Sequence, residues 1–318
     1  MNYHARELPR SSTEIQQTEA GTEGVTRWFL RSVCRLPNLT RLAPMPGPAL
    51  LALLLLASTT GAAEPIISAA NPATNGFVVH SVTSEFQSGP TKIYLRVPDK
   101  IAPGTRLPTL YLLPVEAKDE QRWGDPLAEA AKLDLANRLN VIVIYPTFSH
   151  LPWYCDHPTD LGIRQERYVL NVVVPFMERA YPARAERDAR LLLGFSKSGW
   201  GAWSLLLRNN DTFGRAAAWD SPMMMERGLY GMAAIAGTQE NFERYRVPNL
   251  LREHGPKLGP PPRLLLMGFD NFRAPTQQCH ALLEELKIPH AYRDGPQRKH
   301  HWNTGWVEEA AVWLVTGK

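Results

Sequence analysis

Three polar residues far apart in the chain, Ser196, Asp270 and His300, have the side-chain types needed to attack a carbonyl carbon. Ser196 stands in Leu191-Leu192-Leu193-Gly194-Phe195-Ser196-Lys197-Ser198-Gly199-Trp200-Gly201-Ala202, where an apolar strand pattern runs through a Gly-x-Ser turn directly into a helical pattern. A turn this tight strains the serine backbone and tolerates only small neighbours, a demand that Gly194, Ser198 and Gly199 meet. It lifts the hydroxyl above the sheet edge at a helix N-terminus, so that the backbone N–H of Lys197 faces the negative charge that develops on an attacked carbonyl oxygen. Ser198 occupies a place where this pattern has glycine. A bare Gly-x-Ser also arises by chance as a turn or helix cap; the flanking strand and helix tip the reading toward a nucleophile.

A serine hydroxyl needs a base within hydrogen-bond reach and a carboxylate to hold that base in the right tautomer. Asp270 follows the apolar run Leu264 to Phe269 at the end of an expected strand and is the expected acid, with Asp220, which also follows a strand, as its competitor. His300 lies between the last expected strand and the last helix and is the expected base, with its neighbour His301 as the alternative. A metal reading of the histidines is weaker. No His-Glu-x-x-His helix is present, and His280 and His290 have no ligand spacing along the chain, so neither metal nor cofactor is expected. Trp153, Tyr154 and Trp302 stand near strand ends, where they would form a substrate cleft for an aromatic acid or a sugar ring; Trp200 and Trp203 read more as core.

These residues require a scaffold that brings three strand ends to one edge. Short apolar runs alternate with helical patterns, the mark of a largely parallel sheet of about eight strands with helices on both faces. Phe77 to Phe86 and Lys92 to Val97 read as an antiparallel opening pair, followed by a strand at Thr109 to Leu113. Val141 to Tyr145, continuously apolar, reads as a central strand buried on both faces. Val169, Val172, Val173 and Phe176 mark one face of a helix that Pro175 would kink. Residues 223–259 show no clear periodicity and are expected to cap the cleft of a single domain, 64–318.

Composition bounds the function. The 318 residues are 44% hydrophobic, enough for a large core, and the net charge of +4 is too small and too scattered for a nucleic-acid footprint. Half of that charge lies in residues 1–63, with six Arg against four Glu. The apolar run 49–57 is too short to span a bilayer but has the length of a signal-peptide core, and Gly61-Ala62-Ala63 suits cleavage near Ala63, with Met45 as an alternative start. The expectation is a secreted or periplasmic protein with no stable membrane span after processing. Cys34 would be removed with the leader, leaving Cys155 and Cys279 as one disulfide or two buried thiols. Oligomeric state is not encoded in any pattern found.

The chain resembles the esterase family that includes feruloyl and acetylxylan esterases, S-formylglutathione hydrolases and mycolyltransferases, over roughly residues 92–314. Gly-Phe-Ser-Lys-Ser-Gly-Trp-Gly-Ala is similar to that family's Gly-x-Ser-Met-Gly-Gly-x-Gly-Ala, and His300-His301-Trp302 to its His-x-Trp. The resemblance implies an α/β-hydrolase fold, an acyl-enzyme on Ser196, His300 as base, and no cofactor. Where the family has His-Gly after the third strand, this chain has Pro114-Val115-Glu116, so the second oxyanion N–H falls by position to Glu116. Loss of one such donor costs on the order of 3 kcal/mol. Two other functions share this scaffold: acyl transfer to a sugar or lipid alcohol, and non-catalytic binding.

Overall fold

In the computed structural model, residues 63–318 are described. The expectations for the leader, including the apolar run 49–57, Met45 and Cys34, fall outside the described residues. Among the described residues ten strands appear: β1 (Ile66–Ile67), β2 (Asn71–Pro72), β3 (Val78–Thr83), β4 (Thr91–Arg96), β5 (Thr109–Leu112), β6 (Ile142–Pro146), β7 (Arg190–Phe195), β8 (Arg215–Trp219), β9 (Leu264–Phe269) and β10 (His290–Gln297). They form a single sheet in the order β1-β3-β4-β6-β5-β7-β8-β9-β10, with β2 beside β3. The front of the sheet is antiparallel through β4–β6, and every pairing from β6–β5 to β9–β10 is parallel. This is the expected α/β-hydrolase architecture; the strands beyond the expected eight are the two-residue β1 and β2.

Among the described residues ten α-helices fill the connections: α1 (Pro126–Lys132), α2 (Leu135–Leu139), α3 (Gln165–Tyr168), α4 (Val174–Ala180), α5 (Ser196–Arg208), α6 (Met232–Ala236), α7 (Gln239–Tyr245), α8 (Val247–His254), α9 (Arg273–Glu285) and α10 (Trp306–Thr316). Right-handed parallel crossovers need such helices on both faces of a sheet. The alternation along β7 shows how the strand serves both layers: Leu191, Leu193 and Phe195 join a cluster with α1, α2 and α10, while Leu192 joins the larger cluster with α5, α8 and α9. Between α3 and α4, residues Val169–Val173 widen into a π-helical turn just before Pro175. The proline removes one N–H from the ladder, and the wider turn takes up the mismatch without breaking the helix.

The 223–259 segment carries the short helices α6, α7 and α8, whose inward residues Met232, Phe242, Leu250 and Leu251 are core. Its helices are too short for a sustained 3.6-residue pattern to stand out in sequence. Cys155 and Cys279 are both fully buried and unpaired. Among the described residues no helix is long and apolar enough to cross a membrane.

Candidate active site

The registers explain which residues can meet. Phe195 pairs with Trp219 and Trp219 with Met267, so β7, β8 and β9 end almost level, and the residue that follows each strand emerges at the same edge. Ser196 comes directly after β7 and Asp220 directly after β8. Both take left-handed backbone conformations, with φ 52° and 39°, a strain that a non-glycine residue shows only where its surroundings enforce it. The Ser196 N–H donates to the Asp220 carbonyl (3.2 Å), and the Ser221 hydroxyl donates to the Ser196 carbonyl (2.7 Å), tying the two turns together.

The elbow also explains the unusual Ser198. Its hydroxyl donates to the Phe195 carbonyl (2.9 Å) and accepts from the Phe195 N–H (3.1 Å), closing the turn around Ser196. A side chain at Gly194 is excluded, because its Cβ would stand 2.3 Å from the Ser198 carbonyl oxygen. The hydroxyl at 198 therefore fits this elbow as a brace for a turn whose opposite side has no room.

His300 Nδ1 lies 2.6 Å from Asp220 Oδ2. A carboxylate can only accept, so Nδ1 carries the proton and Nε2 is left as the acceptor, the tautomer a general base requires. Asp220 is fully buried and also accepts from the N–H groups of Asn271 and Phe272 at 2.8–3.2 Å. Burial by itself would raise its carboxyl pKa, but the bonds from His300 and from the backbone of residues 270–272 outweigh it and hold the group below the ordinary carboxylate value. Asp270 has a different place: its Oδ2 accepts from the His300 main-chain N–H at 2.7 Å. The expected partnership of Asp270 with the imidazole is thus replaced by Asp220. The reason is position in the sheet, since β8 lies directly beside β7, and β9 is one strand further out. His301 does not line the cavity: its ring lies against Gly124, and its carbonyl accepts from Trp306 Nε1.

Ser196, 7% exposed, and His300, 8% exposed, both line a cavity of about 600 Å³. Trp123, Phe272, Tyr230, Arg122 and Leu151 supply much of the remaining wall. The imidazole is boxed by edge-to-face contacts with Trp123 and Phe195 (both 4.9 Å) and Phe272 (5.9 Å). Tyr230 comes from the segment expected to cap the cleft. Trp153, Tyr154 and Trp302, expected as cleft residues, do not line this cavity. Trp153 packs against Trp200, the Tyr154 hydroxyl donates to the Pro114 carbonyl beneath the elbow helix, and Trp302 packs between Phe195 and Trp306. Their loops fold inward to fill the sheet faces, and each is 3% exposed or less. Trp123 and Phe272 lie in loops without periodicity, so only the fold could find them.

Glu116 and Lys197, the expected backbone oxyanion donors, also line the cavity. Their side chains meet: Glu116 Oε1 accepts from Lys197 Nζ (3.1 Å) and from Trp123 Nε1 (2.9 Å). The carboxylate that replaces the family's His-Gly is therefore balanced by the residue that follows the serine. Lys197 is in the first turn of α5, whose N–H groups have no intrahelical acceptor.

The family profile described as "Putative esterase" matches residues 84–253, just over half of the chain and spanning the serine turn. The chain belongs to that family. This esterase is accordingly a serine hydrolase that acts on carboxylic esters. No curated protein sequence matches it significantly. Among solved structures it is similar to the fluorophosphonate-binding serine hydrolase F of Staphylococcus aureus, with TM-score 0.63, 18% identity, and coverage of 76% of this chain and 98% of that one. It is also similar to an S-formylglutathione hydrolase from Agrobacterium tumefaciens, with TM-score 0.59, 16% identity and 79% and 96% coverage. A ferulic acid esterase from the fungus Anaeromyces mucronatus matches with TM-score 0.51, 15% identity and the same coverages. At such identities these likenesses concern the fold of the esterase.

Proposed function

We propose that this esterase is exported and cleaves esters of bulky, aromatic acids through an acyl-enzyme on Ser196, with His300 as base and Asp220 as the acid that orients it. The single observation that carries the triad is the 2.6 Å contact of His300 Nδ1 with the buried Asp220 carboxylate, at the wall of the cavity that Ser196 shares. In the first step His300 Nε2 takes the Ser196 hydroxyl proton as Oγ bonds to the ester carbon. The oxyanion is met by the N–H groups of Lys197 and Glu116. His300 then returns the proton to the departing alcohol as the carbon–oxygen bond breaks. Water repeats the sequence on the acyl-enzyme and releases the acid. No cofactor takes part.

The substrate class is argued from the wall. Trp123, Phe272 and Tyr230 offer flat apolar faces beside the serine, and a volume near 600 Å³ holds an aromatic acyl group with part of its alcohol. The similarity to a ferulic acid esterase agrees with a hydroxycinnamate on a carbohydrate alcohol. Export rests on the run 49–57 and the small residues before Glu64.

A fluorophosphonate probe tests the core of the proposal. The purified chain should be labelled, and Ser196→Ala should abolish labelling while keeping its far-ultraviolet circular dichroism. A folded wild-type chain that resists the probe would establish a binding protein instead. A mature N-terminus at or near Glu64 in the extracytoplasmic fraction tests export.

A further inference from the structure

Away from the cavity, the fold brings together two histidines and a glutamate that have no ligand spacing in the sequence. His280 and Glu284 are one turn apart on α9, so they share a face. His290 opens β10, the edge strand, packed beside that helix. One ligand atom from each of the three lies within 4.8 Å of the others. His280 Nδ1 is 2.9 Å from His290 Nε2, and His290 Nε2 is 3.6 Å from Glu284 Oε1.

We infer that His280, Glu284 and His290 form a binding site for a divalent transition cation of the zinc class. Three features support it. First, His290 Nδ1 donates to the Ile288 carbonyl (2.8 Å), so Nε2 keeps its lone pair; that lone pair accepts the His280 Nδ1 proton at 2.9 Å, and an ion would take the place of this proton between the two nitrogens. A metal-bound histidine usually has this arrangement, with one ring nitrogen anchored to a carbonyl and the other on the ion. Second, the His280 ring is held by stacking on Tyr292, 3.8 Å between centroids and 13° between planes. His290 and Tyr292, two apart on β10, therefore orient the pair from one strand face. Third, the Glu284 side chain is 67% exposed and free to swing onto an ion, whereas His290 is 5% exposed and fixed.

The donor set of two imidazole nitrogens and one carboxylate oxygen suits zinc, with water completing a tetrahedron. Two nitrogens bound to zinc at about 2.0–2.1 Å with a tetrahedral angle stand roughly 3.3 Å apart. The rings need to part by only a few tenths of an ångström. An ion there would clip α9 to the edge strand that leads into the loop bearing His300, and its effect would be on stability.

The test uses the full chain without an affinity tag, stripped with chelator and titrated with zinc chloride alone. Zinc bound at equilibrium should approach one ion per chain at saturation, and the melting temperature should rise by several degrees at a hundredfold excess over the dissociation constant. His280→Gln and His290→Gln should each weaken binding at least tenfold and remove the thermal shift. Glu284→Gln, at an exposed position, should leave the zinc-free melting temperature unchanged and still weaken binding about tenfold or more. His300→Ala should bind zinc as the wild type does. A folded wild type that takes up no zinc, binding that survives all three substitutions, or binding lost only with His300 would each overturn the inference.

Discussion

His300 Nδ1 and Asp220 Oδ2 are 2.6 Å apart, in a site where the carboxylate is fully buried and anchored by two further backbone N–H groups. This bond decides the tautomer of the proposed base. Asp220→Asn keeps the shape but offers an amide that can donate to the ring and favour the wrong tautomer, so kcat should fall by about 10⁴, as it does in the analogous serine-protease triad. Asp270→Asn keeps an oxygen for the His300 N–H and should change kcat by less than about tenfold. Steady-state kinetics of the two variants on one ester separates the roles; equal losses would return Asp270 to the triad.

The lowered carboxyl pKa of Asp220 links the site to acid stability. A group that is more acidic folded than unfolded stabilises the fold above its unfolded pKa, about 3.9 for Asp, and that contribution disappears as pH falls through the lower folded value. The stability difference between wild type and Asp220→Asn should accordingly be constant above about pH 5 and shrink below about pH 4. Thermal unfolding across pH 3–8 measures it. A difference that grew on acidification would contradict the assignment.

In the proposed mechanism Glu116 brings a carboxylate beside the developing oxyanion, and Lys197 pairs with it at 3.1 Å. Lys197→Met leaves that charge uncompensated and should lower kcat/KM about 10–100-fold, the range for a hydrogen bond to a charged group. Glu116→Gln, which removes the charge, should cost less, and the double variant should recover much of what Lys197→Met loses. Kinetics of the full cycle checks the sign of the coupling.

Gly201 lets the elbow helix lie on the Tyr154 ring, where a Cβ would approach within 2.0 Å of Cδ2. The ring cannot easily retreat, because its hydroxyl is held by the Pro114 carbonyl at 2.6 Å. Gly201→Ala should destabilise the fold by about 3 kcal/mol, or a drop of roughly 6–12 °C in melting temperature. An unchanged melting temperature would show that the loop bearing Tyr154 yields.

Glu166 joins two regions distant in sequence, accepting from Arg208, Asn209 and the Tyr245 hydroxyl at 2.8–3.3 Å. Glu166→Ala strands the partly buried Arg208 guanidinium and should cost about 2–4 kcal/mol. Chemical denaturation should show it with probe labelling at Ser196 intact in the folded protein.

Much of the scaffold was legible in the chain because its signals are local. The runs Val141 to Tyr145, Leu191 to Phe195 and Leu264 to Phe269 are apolar on both faces, which only a strand covered by helices above and below allows. The serine turn was legible for the same reason, since strand, small residues and helix all lie within twelve positions. The short helices of 223–259 were not, because none leaves a sustained period, and the widened turn at Val169–Val173 was not, because its buried valines keep ordinary helical spacing.

By itself the sequence determined the strand-turn-helix at Ser196, the layered sheet and the loop histidine, since each follows from residues adjacent in the chain. The tertiary structure alone decided which carboxylate reaches that histidine, which aromatic rings face the cavity and which fill the core, and that His280 meets His290. Asp220 and Asp270 both follow buried strands and look alike in one dimension. Only the lateral order of β7, β8 and β9, set by how the parallel crossovers pack, puts one of them against the imidazole ring and the other against its backbone.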